Sequence, residues 1–197
     1  WEWLVAYYAI AKSGAVVNPI SSMFTVDEVR YVVADSGARV VVAASDKVIP
    51  VLDLIGTANL SSVVLWGDDV PEAAASFATW LDDEPGDFSP VERGRGDLAA
   101  VCYTSGTTGH PKGAMQSHRA VIGAAVGTVV MGARGPGDRV INSLPLPHVY
   151  GSCVFNAAMM AGSTFIMVPR VDAVEMMAAI AEHRATLMDG VPTSYYY

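Results

Sequence analysis

Tyr103-Thr104-Ser105-Gly106-Thr107-Thr108-Gly109-His110-Pro111-Lys112-Gly113 is the stretch on which the reading of this chain turns. Four hydroxyl side chains, three glycines and one lysine fall within positions 104–113. Glycine lets backbone N–H groups come close to an anion. Hydroxyls add donors that rotate to fit, and lysine carries a compact positive charge on a long stem. Together they suit a polyphosphate. Composition alone leaves a plain surface loop open, because Gly, Thr and Ser are common loop residues. The order of the residues is what discriminates.

Two familiar phosphate loops fail on that order. A Walker A loop needs Gly, four residues, then Gly-Lys-Ser/Thr. Counted from Gly106, the second glycine position holds Pro111, and Gly113 stands where the Mg²⁺-binding hydroxyl belongs. A dinucleotide G-x-G-x-x-G fails too, because Gly106-Thr107-Thr108-Gly109 has the wrong spacing.

Downstream of the loop, helical and extended patterns alternate. His118 to Met131 reads as a helix and Gly135-Pro136-Gly137-Asp138 as a turn. Val140 to Leu144, Ser163 to Val168 and Ala185 to Met188 read as strands, with helices over Tyr150 to Met160 and Ala173 to His183 between them. Upstream, Leu98 to Tyr103 is a strand running into the loop, which is read as 104–113. Val5 to Lys12 is a helix end stopped near Gly14. Thr25 and Glu28 have the spacing of a capping box, for a helix ending near Gly37. Arg39 to Ala44 and Ser62 to Trp66 are apolar, β-branched strands. Asp46 to Ile55 is a weaker helix, and Glu72 to Leu81 a helix with Pro71 at its start. Such alternation predicts βαβ units, an α/β fold with a mostly parallel sheet and helices on both faces. The expected division is 1–81, an exposed and mobile connector at 82–97, and 98–197. The connector holds six acidic residues, two arginines, two prolines and three glycines.

The bulk numbers agree with a packed domain. The chain has 197 residues, of which 52% are hydrophobic and 16% charged, ample for a core. Its net charge is −8, and no Lys/Arg cluster offers a nucleic-acid surface. The uncharged run Ala120 to Ala133 is 14 residues long, short of the roughly 18 a membrane span needs. Cys102 and Cys153 sit among apolar neighbours and read as buried, reduced, cytoplasmic thiols. The methionines at 159, 160, 167, 176, 177 and 188 read as core packing. The chain opens at Trp1-Glu2-Trp3-Leu4 and stops at Tyr195-Tyr196-Tyr197 without start or closing signals. A larger parent, covering apolar surface left bare here, is the expectation.

The run from Tyr103 to Gly113, followed by His118-Arg119, resembles the signature loop of the adenylate-forming superfamily, which includes acyl-CoA synthetases, luciferases and adenylation domains. Ala11 to Pro19, Leu144 to Gly151 and Gly190 to Tyr195 resemble family segments in the same order, the latter two most like fatty acyl-CoA ligases. The resemblance implies part of a large N-terminal domain. The Mg²⁺-binding glutamate, ribose-binding aspartate, hinge and C-terminal lysine of the family are expected beyond Tyr197, so the isolated chain is expected to be inactive.

That likeness implies an ATP-dependent ligase that joins a carboxylic acid, of fatty type, to CoA through an acyl-adenylate. It assigns Thr104, Ser105, Gly106, Thr107, Thr108, Gly109 and Lys112 to the phosphates of ATP, with Lys112 also catalytic. It places His148, with Tyr150 and Gly151, where acyl group and thiol meet. Gly151 is expected to leave room for an acyl chain, and His148 to line or gate the site rather than act as a general base. Mg²⁺ is implied as cofactor, with no ligand assignable. Open alternatives are an aryl, malonyl or amino-acid activating ligase of the same superfamily, and a non-catalytic nucleotide-binding module.

Overall fold

A computed structural model describes residues 1–56, 59–82, 86–104, 110–168 and 172–195, without the side chains of 47–51. The chain groups into two compact units, Trp1–His118 and Arg119–Tyr197. Residues 98–118 therefore lie with 1–81, not with the segments that follow them.

Unit 1 opens with α1 (Glu2–Lys12) and α2 (Val26–Asp35). The capping box forms as read: the Thr25 hydroxyl accepts from the Glu28 N–H, and Glu28 accepts from the Thr25 N–H at 2.7 Å. β1 (Val40–Ala44), β2 (Ser62–Trp66) and the two-residue β3 (Ala75–Ser76) make a parallel sheet in that order. Successive strand residues point to opposite faces, and the packing follows. Val41, Val63 and Leu65 meet Val33 and Val29 of α2. Val42, Val64 and Trp66 meet Ala6 of α1 and Phe77. Val63, Val64 and Leu65 are essentially inaccessible, each worth about 1.5–3 kcal/mol of burial.

Two helix readings change. Asp46 to Ile55 becomes a short α3 (Ser45–Val48) and a 3₁₀ turn, Ile49–Leu54; Pro50 lacks the N–H that a continuous α-helix would use. Of Glu72 to Leu81, only α4 (Phe77–Asp82) is helical. Pro71 starts a turn closed by Ala74 N–H to its carbonyl at 2.9 Å, and Ala75 and Ser76 pair with Val64 and Leu65 instead.

Within the connector, residues 86–97 are exposed and without regular structure, but they are tethered. Val91 N–H donates to the Lys12 carbonyl at 2.8 Å, and the Arg93 guanidinium donates twice to the Gly14 carbonyl. Gly14 is required there: its φ is +72°, and a Cβ would sit 2.8 Å from Val91.

β4 (Leu98–Thr104) and β5 (Lys112–Ser117) complete unit 1 as an antiparallel pair, the antiparallel element of a fold otherwise read as mostly parallel. Val17 bridges to Ala100 on the far side of β4. Tyr7 of α1 packs on Val17, Ala100 and Cys102.

In unit 2, α5 (His118–Met131) is followed by β6 (Arg139–Asn142), α6 (Val149–Ala161), β7 (Thr164–Met167), α7 (Ala173–His183) and β8 (Leu187–Asp189). The strands form a parallel sheet ordered β7-β6-β8. Alternation again assigns the faces. Val140, Phe165 and Leu187 pack with Val154 and Ala158 of α6, while Ile141, Ile166 and Met188 pack with Met176 and Ile180 of α7. One helix on each face is the doubly covered arrangement the sequence pattern predicts. Asp138 fixes where two strands start: its carboxylate accepts from the Gly135 N–H and from the Thr186 hydroxyl. Those bonds, the backbone one first, hold its pKa below the ordinary value.

The methionine reading holds only for Met176 and Met188. Met159, Met160, Met167 and Met177 are exposed, as are Ile122, Val126 and Val130 along α5.

Candidate functional site

The β4–β5 pair is the frame of the phosphate-loop candidate. Thr104 lies opposite Lys112, Tyr103 opposite Gly113, and Cys102 opposite Ala114. The connection is therefore 105–111, shorter than the loop read as 104–113, because ladder pairing extends to Thr104 and Lys112. Both are exposed, side by side at the mouth of the turn. Ser105, Gly106, Thr107, Thr108 and Gly109 lie outside the described residues. Pro111 is buried and His110 exposed.

Gly113 has a packing reason. A Cβ there would fall 2.8 Å from Val101 Cγ1 and 3.0 Å from Tyr103 Cζ, so the missing side chain makes room for its cross-strand partner's ring. The Tyr103 hydroxyl continues outward and donates to Asp35 Oδ2 at 2.6 Å. Burial first, then the Asp35 hydrogen bond and charge, push the Tyr103 phenol well above its ordinary pKa. It therefore stays a donor at neutral pH. On the other arm, the His110 ring stacks on Tyr31, centroids 4.6 Å apart and planes at 15°. Tyr31 and Asp35 are four residues apart on α2, hence on one face.

In unit 2, His148 is the N-cap of α6. The Tyr150 N–H donates to His148 Nδ1 at 3.2 Å, and the His148 N–H donates to the Pro145 carbonyl at 3.0 Å. With Nδ1 accepting, the proton of the neutral ring sits on Nε2. That nitrogen can then donate to a ligand but not abstract a proton. Gly151 is buried, and a Cβ there would lie 2.2 Å from the Pro145 carbonyl oxygen. The expectation that Gly151 leaves room for an acyl chain is corrected: the Pro145 backbone already fills that space. Tyr150 is partly exposed, and its pKa is raised by burial first and then by the charge of Asp189, with Arg134 opposing. Arg134 Nη2 donates to both oxygens of Asp189, which stands at the carboxyl end of β8. Of the two cysteines, Cys102 is buried, which raises its thiol pKa, while Cys153 is half-buried with its sulfur 3.3 Å from the Thr128 hydroxyl.

The AMP-binding enzyme family matches residues 1–197. This chain belongs to that family. It is 34% identical over 198 residues to the long-chain-fatty-acid–CoA ligase FadD13 of Mycobacterium tuberculosis, aligning 97% of this chain with 37% of that protein. A feruloyl-CoA synthase from an Amycolatopsis species is 31% identical, covering 98% of this chain and 37% of its own length. Among solved structures, ATP-bound MatB from Rhodopseudomonas palustris superposes with a TM-score of 0.87 at 32% identity, over 98% of this chain and 38% of that one. The chain thus spans little more than a third of these relatives. The family's α/β architecture accounts for parallel strands covered by helices in both units.

As a member of this family, the chain carries candidate residues that the sequence pointed to and others it did not. Asp35, Tyr31, Arg134 and Asp189 gave no signal, since each partner lies far off in sequence; Tyr103 and Asp35 are 68 residues apart. Among the described residues, no three His, Cys, Asp or Glu side chains gather as a metal-ligand set. No described helix is long and apolar enough to cross a membrane.

Proposed function

We propose that this chain is part of an ATP-dependent acid–thiol ligase. A carboxylate attacks the α-phosphate of ATP, giving acyl-adenylate and pyrophosphate. The thiol of CoA then attacks the acyl carbon and expels AMP, giving the thioester. The observation that carries the reading is the run Tyr103 to Gly113 mounted on an antiparallel pair, with exposed Thr104 and Lys112 adjacent at its mouth.

The donor set suits the β- and γ-phosphates. Thr104, Ser105, Thr107 and Thr108 supply hydroxyls, Gly106 and Gly109 let backbone N–H groups approach, and Lys112 supplies charge. Donors already in place when the pyrophosphate departs lower the barrier. Mg²⁺ would share that charge when bound. His148, with Nε2–H outward from its cap, and Tyr150 are assigned to the acyl–thiol end of the reaction.

A fatty acid is the favoured substrate, supported by the 34% identity to FadD13. An aromatic acid is the second reading, supported by the 31% identity to feruloyl-CoA synthase. The thiols of Cys102 and Cys153 are free, which suits a reducing compartment such as the cytoplasm. The test is ATP–pyrophosphate exchange by the full-length protein with a panel of fatty and aromatic acids, then thioester formation with CoA. Acid-dependent exchange supports the ligase. ATP binding without exchange for any acid would favour a non-catalytic nucleotide-binding module.

A further inference from the structure

We propose that Tyr31 and Asp35, on the last turns of α2, are positioning residues that hold both arms of the β4–β5 turn and so set where Thr104 and Lys112 meet a bound polyphosphate. The inference rests on the ligase reading above and adds a specific device to it.

Two contacts carry it, one on each arm. On the outgoing arm, Tyr103 donates to Asp35 at 2.6 Å, and Thr104 is the next residue. On the returning arm, His110 stacks on Tyr31. Pro111 follows, buried and with its φ fixed by the ring, and Lys112 is next. Each constraint is therefore passed through at most one residue to a group that faces the ligand. Tyr31 and Asp35 also feel each other: burial first, then the Asp35 charge and hydrogen bonding, raise the Tyr31 pKa. Both phenols remain protonated at neutral pH.

The placement argues against a purely structural role. Asp35 is exposed and His110 is exposed, so neither contact belongs to the buried core that α2 makes through Val29 and Val33. Exposed contacts of this kind add little global stability. They do tie the residues on either side of the connection, Tyr103 and His110, to α2, and preorganisation is what a phosphate site needs.

The experiment uses the full-length enzyme and its Asp35→Ala, Asp35→Asn, Tyr103→Phe and Tyr31→Ala variants, with the Asp35→Ala/Tyr103→Phe double variant. Amide hydrogen exchange across 103–113 is read with and without inorganic tripolyphosphate, and the KM for ATP is read in pyrophosphate exchange. Asp35→Ala and Tyr103→Phe should each speed exchange in 103–113 and raise the KM on the order of tenfold, the scale of one lost charge-assisted hydrogen bond. The double variant should be no worse than either single, since both remove the same bond. Asp35→Asn keeps an acceptor and should recover most of the loss. Transfer from pre-made acyl-adenylate to CoA should not move. Unchanged exchange in 103–113, loosening spread evenly over unit 1, or additive single effects would each overturn the proposal. A parent enzyme without acid-dependent pyrophosphate exchange would sink the ligase reading, and the amide exchange would still decide whether α2 holds the turn.

Discussion

Arg134 Nη2 holds both carboxylate oxygens of Asp189, at 2.6 and 2.7 Å, with the two side chains only 5% and 11% exposed. Nε and Nη1 of the same guanidinium are buried without a partner among the described residues. Such a pair contributes little relative to an apolar replacement, yet removing one member strands a buried charge. Asp189→Ala should therefore destabilise the protein by about 3–5 kcal/mol, while Arg134→Met combined with Asp189→Leu should cost far less than that single change. Urea unfolding midpoints give the comparison. An Asp189→Ala variant as stable as the parent would show that the pair is not buried in solution.

His148 separates a structural from a chemical duty. Its Nδ1 caps α6, and losing a cap costs typically about 1 kcal/mol. His148→Ala should lower stability by that amount and slow thioester formation. Asn can accept from the same backbone N–H, so His148→Asn should restore the melting temperature. It lacks a donor at the Nε2 position, so thioester formation should stay slow. Full recovery of both by Asn would leave His148 as a helix cap and nothing more.

Alkaline stability should respond to Tyr8. Burial first, then the charge of Tyr7, push its pKa from 10.0 up to about 12. The unfolded phenol ionises near its ordinary value of about 10. Between those two values the unfolded chain has released a proton that the folded chain retains, so unfolding free energy falls with rising pH. The contribution is complete below pH 10 and is lost as pH rises through 12. Partial exposure screens it, leaving on the order of 1–2 kcal/mol. Tyr8→Phe should flatten the fall in urea midpoint across that window, and an identical slope in the variant would count against the shift.

What the sequence made legible followed from local rules. The Thr25 capping box, the α7 boundaries Ala173–His183 and the turn at 135–138 all depend on residues within a few positions of one another. The alternation of Val140 and Ile141 between helices α6 and α7 is a period-2 consequence of being a strand. The antiparallel course of β5 was also readable in principle: residues 105–111 are too few for a parallel crossover, which needs roughly a dozen. It was missed because Lys112-Gly113-Ala114 carries little strand signal, and the ladder to β4 is what makes it extended. Tyr103 with Asp35 and Arg134 with Asp189 were not readable, because no periodicity links residues 68 or 55 positions apart. Gly151 shows the remaining failure. A glycine in a candidate pocket suggests room for substrate, and only coordinates reveal that the Pro145 backbone occupies it.

Lys112 is where the proposed chemistry is most exposed to test. It opens β5 opposite Thr104 and is solvent-accessible, so truncating it removes charge without opening a core cavity. In the intact enzyme, Lys112→Ala should slow adenylate formation more than thioester formation. Under the proposed assignment Lys112 faces the β- and γ-phosphates, which leave as pyrophosphate in the first half-reaction. The second half-reaction expels AMP, whose phosphate is the α-phosphate, so the group that Lys112 serves has already gone. Losing one preorganised donor to a developing anion costs on the order of 10²–10³ in rate. Thr107→Ala and Thr108→Ala should each cost less, because a neutral hydroxyl makes a weaker bond than an ammonium group. The two halves are measured separately, by ATP–pyrophosphate exchange and by CoA transfer from pre-made acyl-adenylate. If Lys112→Ala left exchange intact and blocked the transfer, Lys112 would belong to the thiol step and the phosphate assignment of the 104–113 segment would be wrong.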